Sequence, residues 1–213
     1  IPAVTVSVSD NTYYEAVPRQ LLTCLDIAPD GRDRPQMKNG RDDDRLAAVL
    51  VPLIWRESDW QILMTKRAAH LSHHAGQISF PGGALDTSDK GLIDTALREA
   101  HEEICLPPSS VRVMGSLLPV RSPAGFIVQP IVGIVGSEIF NELQPDPAEV
   151  DSIFTLPLAH IGQPDNFSLV PRQTNGRDNS YWVVSHSEHY IWGLSARVLN
   201  DLRQRLHHCQ TGA

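Results

Sequence analysis

Positive charge is scarce in this sequence: 18 Lys and Arg against 25 Asp and Glu leave a formal net charge of −7 over 213 residues. A protein that grips nucleic acid through its phosphates needs a basic face, so no nucleic-acid partner is expected, whereas one short anionic ligand is compatible. Cysteine is equally thin. Cys24, Cys105 and Cys209 are odd in number, far apart and free of CxxC spacing, which argues against a disulfide framework or a zinc site and leads us to expect a reducing, cytoplasmic compartment. No apolar run approaches the roughly 20 residues of a membrane-spanning helix. The first residues also lack the basic-then-apolar order of a signal peptide, so no membrane partner is expected. Ile1 stands where an initiator Met would, and a trimmed or partial chain is expected.

With 41% hydrophobic residues, the chain suits one compact domain of about 150 residues plus extensions. Residues 10–27 read as a short amphipathic helix and 29–44 as a polar, turn-rich connector, so 1–44 is expected to precede a domain spanning 45–213. Within it, 46–55 and 60–66 read as strands around the turn Arg56-Glu57-Ser58-Asp59. A long loop then leads to Phe80-Pro81-Gly82-Gly83. Residues 92–106 repeat apolar side chains at helical spacing, with Leu92, Ala96, Ala100 and Ile104 on one stripe, until Pro107 and Pro108 stop the helix. Strands are expected over 111–120, 126–135 and 180–186, and within 149–158. A last amphipathic helix is expected over 190–208, with Ile191, Leu194, Val198, Leu202 and Leu206 inward. The class is mixed α/β.

The chemistry concentrates in Arg98-Glu99-Ala100-His101-Glu102-Glu103. Three carboxylates at i, i+3 and i+4 of one helix span an arc of about 100°, beside the apolar stripe and therefore at the rim of the buried surface. Such like charges repel by a few tenths of a kcal/mol per pair when exposed, and by more in a cleft, so a cation should compensate them. Arg98 can pair with Glu102 four residues on. A hard divalent ion suits the remaining oxygens, with waters and substrate phosphates completing its shell. Glu-rich helix faces are usually no more than solvated surface; here Gly82 and Gly83 lie upstream, where glycine lets backbone pass close to a ligand.

The run GGALDTSDKGLIDTALREAHEEICL, residues 82–106, resembles the Nudix box, a Gly-led loop and helix carrying Arg-Glu-x-x-Glu-Glu. The resemblance implies an α/β/α sandwich with a mixed β-sheet. It also implies hydrolysis of a small-molecule nucleotide, a nucleoside diphosphate linked to another group, that depends on Mg2+ or Mn2+. It assigns Glu99, Glu102 and Glu103 to the metal, Arg98 to orienting them, and the Gly83 carbonyl to a further ligand position. A homodimer is compatible with it. The sequence departs from the box in three places: Gly83 to Arg98 is one residue longer, the upstream Glu position falls at or near Lys90 with Asp89 beside it, and Cys105 replaces the late Gly.

Immediately before, LMTKRAAHLSHHAGQISFPGG, residues 63–83, resembles the extended motif of the coenzyme A diphosphatase branch. Arg67, Leu71, His74, Gly76, Gln77, Phe80, Pro81, Gly82 and Gly83 match, and Ser72 stands where that branch has Arg. The resemblance implies substrate contacts from Arg67, His74, Gln77, Gly82 and Gly83, with Arg67 or Lys66 suited to a phosphate. His70 and His73 read as ordinary loop residues, and no fourth ligand supports zinc. YIWGLSARVL, residues 190–199, is similar to the same branch, with Tyr190 and Trp192 read as core packing. The general base is left open between a helix carboxylate and Glu149. Two other readings stand beside coenzyme A: a hydrolase of ADP-ribose or a dinucleotide, and a nucleotide-sensing module that does not hydrolyse.

Overall fold

The computed structural model describes residues 43–174 and 177–211, together with 24–26, 28, 35, 37, 40 and 41. The helix expected over 10–27 and the connector over 29–44 fall outside those residues apart from the few named. The strands are β1 (Arg45–Arg56), β2 (Asp59–Arg67), β3 (Ile78–Ser79), β4 (Gly82–Ala84), β5 (Val111–Ser116), β6 (Val120–Arg121), β7 (Phe126–Val135), β8 (Val150–Pro157), β9 (Phe167–Thr174), β10 (Arg177–Ser185) and β11 (Tyr190–Trp192). The helices are α1 (Leu92–Ile104), α2 (Leu158–Gly162) and α3 (Leu194–Thr211).

β1 and β2 form the expected hairpin. Its two turn residues, Glu57 and Ser58, both have positive φ, 54° and 64°, the backbone that matches the twist of paired strands. Trp55 and Trp60 face each other across it, with ring centroids 5.5 Å apart. β1 then runs parallel to β7 from Arg45↔Phe126 to Ile54↔Val135. β8 and β3 add to β2, β5 and β6 to β7, and β4 to β1, giving one mixed sheet of eight strands.

Both faces of that sheet are covered, and strand alternation explains how. Successive side chains point to opposite faces, so Val49, Val51 and Leu53 of β1 enter one core while Ala48, Leu50 and Ile54 enter the other. The second core is closed by α1, whose Leu92, Ala96, Ala100 and Ile104 are fully buried. The first is closed by α2 and α3 through Ile161, Val198, Leu199 and Leu202. Helix, sheet and helix make the expected α/β/α sandwich.

The C-terminal reading needs correction. Residues 190–192 are a strand, Gly193 turns at φ 68°, and the helix begins at Leu194; Ile191 is buried from β11, not from a helix. β11, β10 and β9 form a separate antiparallel sheet. β9 has no counterpart in the sequence reading. Pro171 interrupts its pattern, which is tolerated because β9 is an edge strand. The strand expected over 111–120 is broken at 117–119 into β5 and β6.

Cys24 is disulfide-bonded, contrary to the expectation drawn from cysteine spacing, and Cys105 is free. Spacing along a chain does not report what the fold brings together. Asp26 exchanges backbone hydrogen bonds with Ser116 (3.0 and 2.8 Å), and Arg205 of α3 donates to the Cys24 carbonyl (2.6 Å) and to Asp26 Oδ2 (2.7 Å). Among the described residues no helix is long and apolar enough to cross a membrane.

Candidate active site

Two close approaches fix the glycine loop, one against β1 and one against α1. Gly82 pairs with Val49 in β4–β1, and a Cβ on it would strike the Ala48 carbonyl and Val49 Cα. A Cβ on Gly83 would collide with the carboxylate of Glu99. Only glycine leaves that carboxylate room beside the backbone.

Arg98 is the hub of the helix. Its Nε and Nη2 donate to the two oxygens of Asp89 (2.8 and 3.0 Å), Nη1 donates to Glu99 Oε1 and Glu102 Oε2 (2.9 Å each), and Nη2 also reaches the Ala84 carbonyl (3.2 Å). Asp89 is buried. Besides the guanidinium it accepts from Thr95 Oγ1 and the Asp86 backbone N–H, both at 2.9 Å. The Arg98 bonds, outweighing the cost of burial, hold its carboxyl at about 2. The sequence reading gave Asp89 no role beyond its place near the absent upstream Glu; the structure makes it the anchor of Arg98. Cys105, at the late Gly position of the box, caps α1 in the left-handed region (φ 54°), a conformation that favours glycine.

Glu103 is the most buried of the three helix carboxylates, with 3% of its surface exposed. Burial pushes it up to about 8; Arg67 lowers it, Glu149 and Glu99 raise it further, and the Gly82 N–H lowers it. Arg67 Nη1 lies 3.6 Å from Glu103 Oε1, and Nη2 lies 4.0 Å from Glu149 Oε2. Glu103 Oε2 and Arg67 Nε are buried without a hydrogen-bond partner. Glu99 is also shifted upward by burial, with Glu102 and Glu149 adding to it against the opposing pull of Arg98. Glu102 points outward, its side chain 57% exposed.

Glu149 is brought beside this pair from the other side of the cleft. Asp146 N–H donates to the Glu103 carbonyl (2.8 Å), Gln144 N–H to that of Ile104 (3.2 Å), and Ala68 N–H to that of Glu149 (2.8 Å). His70, read as an ordinary loop residue, bonds the Ala148 carbonyl at 3.2 Å. These bonds tie the loop bearing Glu149 to the end of α1 and to the segment after β2.

The expected substrate residues lie along the same edge. Arg67 N–H donates to the Gln77 carbonyl (2.9 Å) and Gly76 N–H to that of Arg67 (3.1 Å). His74, exposed and at φ 59°, bonds Gln77 Oε1 through Nδ1 (2.8 Å). Beside them lies a cavity of about 460 Å³ whose lining includes Lys66, Gln77, His189, Tyr190 and Trp192. Tyr190 is 59% exposed, not the core residue the sequence suggested.

The donor set fits a hard divalent cation. The charge of Glu149 raises the proton affinity of both Glu99 and Glu103, Glu99 adds to that of Glu103, and one buried Glu103 oxygen lacks a partner. A cation would remove both costs, and all-oxygen donors suit Mg2+ or Mn2+. Among the described residues no three acidic, His or Cys groups stand in ligand geometry; Glu99 and Glu102 each give one oxygen to Arg98.

The NUDIX domain family matches residues 44–174. The uncharacterized Nudix hydrolase NudL of Enterobacter sp. (strain 638) is 39% identical over 169 residues, covering 79% of this chain and 86% of that protein. Its namesake in Salmonella typhimurium (strain LT2) is 40% identical with the same coverage. Among solved structures, a C. elegans Ap4A hydrolase binary complex is 18% identical with a TM-score of 0.46, covering 53% of this chain and 80% of that one. The NUDIX domain of Shewanella oneidensis NrtR complexed with ADP ribose is 22% identical with a TM-score of 0.43, covering 59% and 80%. Likeness at those scores says nothing about ligand. The domain match and the extent of identity to the two NudL proteins, on a chain whose Arg-Glu-x-x-Glu-Glu helix faces a Gly-Gly loop, establish that this protein is an enzyme of the Nudix hydrolase family.

Proposed function

We propose that the enzyme hydrolyses the diphosphate of coenzyme A or its derivatives, giving 4'-phosphopantetheine and adenosine 3',5'-bisphosphate. The observation that carries this reading is the segment 63–83, whose matches to the coenzyme A diphosphatase motif run from β2 through the His74–Gln77 turn to the Gly82–Gly83 loop against Glu99.

Nudix hydrolases generally need divalent metal ions such as Mg2+ or Mn2+; Glu99, Glu102 and Glu103 would hold such an ion, which would supply Lewis-acid stabilisation of the diphosphate and activation of the attacking water. The chain's own residues do the rest. Arg98, fixed by Asp89, sets the rotamers of Glu99 and Glu102. Gly82 lets the loop lie against β1 and Gly83 leaves room for the Glu99 carboxylate, while Arg67 offers a planar fork to phosphate oxygens. As water oxygen bonds to one phosphorus, the bridging P–O bond breaks. Glu149, half-exposed and linked to Arg67, accepts the water proton.

The test is a turnover screen of coenzyme A, dephospho-coenzyme A, ADP-ribose and a dinucleotide with Mg2+ and with Mn2+, read by product mass. Coenzyme A should be turned over fastest, to the two products named. ADP-ribose cleaved at an equal rate would remove the coenzyme A assignment, and a ligand bound but left intact over many enzyme equivalents would favour a sensor.

A further inference from the structure

The segment 190–199, similar in sequence to the coenzyme A diphosphatase branch, has no part in the chemistry above. One of its side chains nevertheless reaches the strand that borders the site. Ser195, in the first turn of α3, is 5% exposed, and its Oγ donates to the Ile78 carbonyl at 2.9 Å. Gly193, at φ 68°, turns the chain from β11 into α3, and its N–H donates to the Trp182 carbonyl (2.9 Å). Serine at a helix start commonly bonds the backbone of its own helix; this hydroxyl instead bonds a strand 117 positions earlier in the chain.

β3 needs that donor. In an antiparallel pair, hydrogen-bonded and non-hydrogen-bonded residue pairs alternate. Arg67 N–H donates to the Gln77 carbonyl, so the next pair along, Lys66↔Ile78, is of the non-hydrogen-bonded kind, and the Ile78 carbonyl points away from β2. Ile78 is itself buried, in the core that α3 closes. A buried carbonyl without a donor is costly, and β3 is only two residues long. Three elements take the carbonyls of this stretch in turn: β2 bonds that of Gln77, α3 that of Ile78, Thr65 of β2 that of Ser79, and Leu50 of β1 that of Pro81.

The same stretch joins the residues assigned to the substrate with the loop beside Glu99. At one end Gln77 bonds the His74 ring and the Arg67 backbone; at the other, Gly83 leaves room for the Glu99 carboxylate. We infer that Ser195 is a positioning residue for the hydrolysis: its hydroxyl fixes β3 from the α3 side and so sets where Gln77, Arg67 and the Gly82–Gly83 loop meet the substrate. The inference rests on the proposed function for the roles of those residues, and it holds for any diphosphate the site cleaves.

Hydrogen–deuterium exchange of the full chain, without metal or ligand, on wild type and Ser195→Ala reads the tie directly. Alanine suits a helix, so the variant keeps its fold. The amides of Arg67 and Leu50, donors to the Gln77 and Pro81 carbonyls, should exchange at least about tenfold faster in the variant, the scale of one unsatisfied buried carbonyl. The amides of α1 should not change. Kinetics on whichever diphosphate the wild type cleaves fastest should show KM raised about tenfold and kcat within about threefold, because a loosened segment lowers the fraction of enzyme ready to bind. Wild-type exchange at Arg67 and Leu50 in the variant, or acceleration spread equally over α1, would overturn the inference. Local acceleration with an unchanged KM would overturn it too. Absence of turnover by the wild type on every diphosphate would sink the proposed reaction and leave the exchange result to judge Ser195.

Discussion

Replacing Glu103 by Gln should stabilise the metal-free protein at pH 8 and leave it almost unchanged at pH 5. Burial raises this carboxyl to about 8 from an ordinary 4.5, so folding favours the protonated form. Its contribution to stability is complete below 4.5 and is lost as pH rises through 8. A rigid site would forfeit about 4 kcal/mol by pH 8. Relaxation of the site around the charge reduces the cost to the order of 2 kcal/mol. For a chain of this size that corresponds to a Tm difference of roughly 4–8 °C. The assay is thermal unfolding of both proteins in chelator at pH 5 and pH 8, then at pH 8 with excess Mg2+. The variant should melt higher at pH 8 in chelator only, and Mg2+ should raise the wild type and not the variant. Equal melting temperatures at pH 8, or the same gap at pH 5, would refute the reasoning.

Asp89→Asn should lower stability by about 2 kcal/mol, the scale of a charged hydrogen bond lost in a buried setting. The same change should reduce kcat by releasing Arg98, and unaltered turnover would show that Arg98 needs no anchor. Cys105→Gly should raise stability by about 0.5–1 kcal/mol in chemical denaturation, since the left-handed cap is strained for any residue with a Cβ; a loss would mean the thiol packs usefully. Gly83→Ala should fold yet weaken Mn2+ binding, because the new methyl displaces the Glu99 carboxylate; titration calorimetry decides, and unchanged affinity would separate Glu99 from the metal.

The reactive helix was legible because helical geometry alone relates Glu99, Glu102 and Glu103, and because Leu92, Ala96, Ala100 and Ile104 declare which side is buried. β7 was legible for a similar reason: buried on both faces, it reads as a largely apolar run from Phe126 to Val135 with Gln129 as its one polar side chain. Asp89 was not, since its task depends on a loop folding back onto a residue nine positions on. Nor was the unequal burial of the carboxylates: Glu103 and Glu102 are neighbours in sequence but lie on opposite sides of the rim. The Tyr190–Trp192 strand hid inside a helical pattern because three aromatic or β-branched residues before a glycine satisfy either periodicity. The bond at Cys24 depends on spatial proximity that no local pattern encodes.

Electron paramagnetic resonance of Mn2+ titrated into wild type and into a Glu99→Gln/Glu103→Gln variant asks whether the buried edge of α1 is where a divalent ion resides. The wild type should take up Mn2+ with a protein-bound signal, and the variant should require at least about tenfold more metal for the same uptake. Identical uptake by the two proteins would contradict the account.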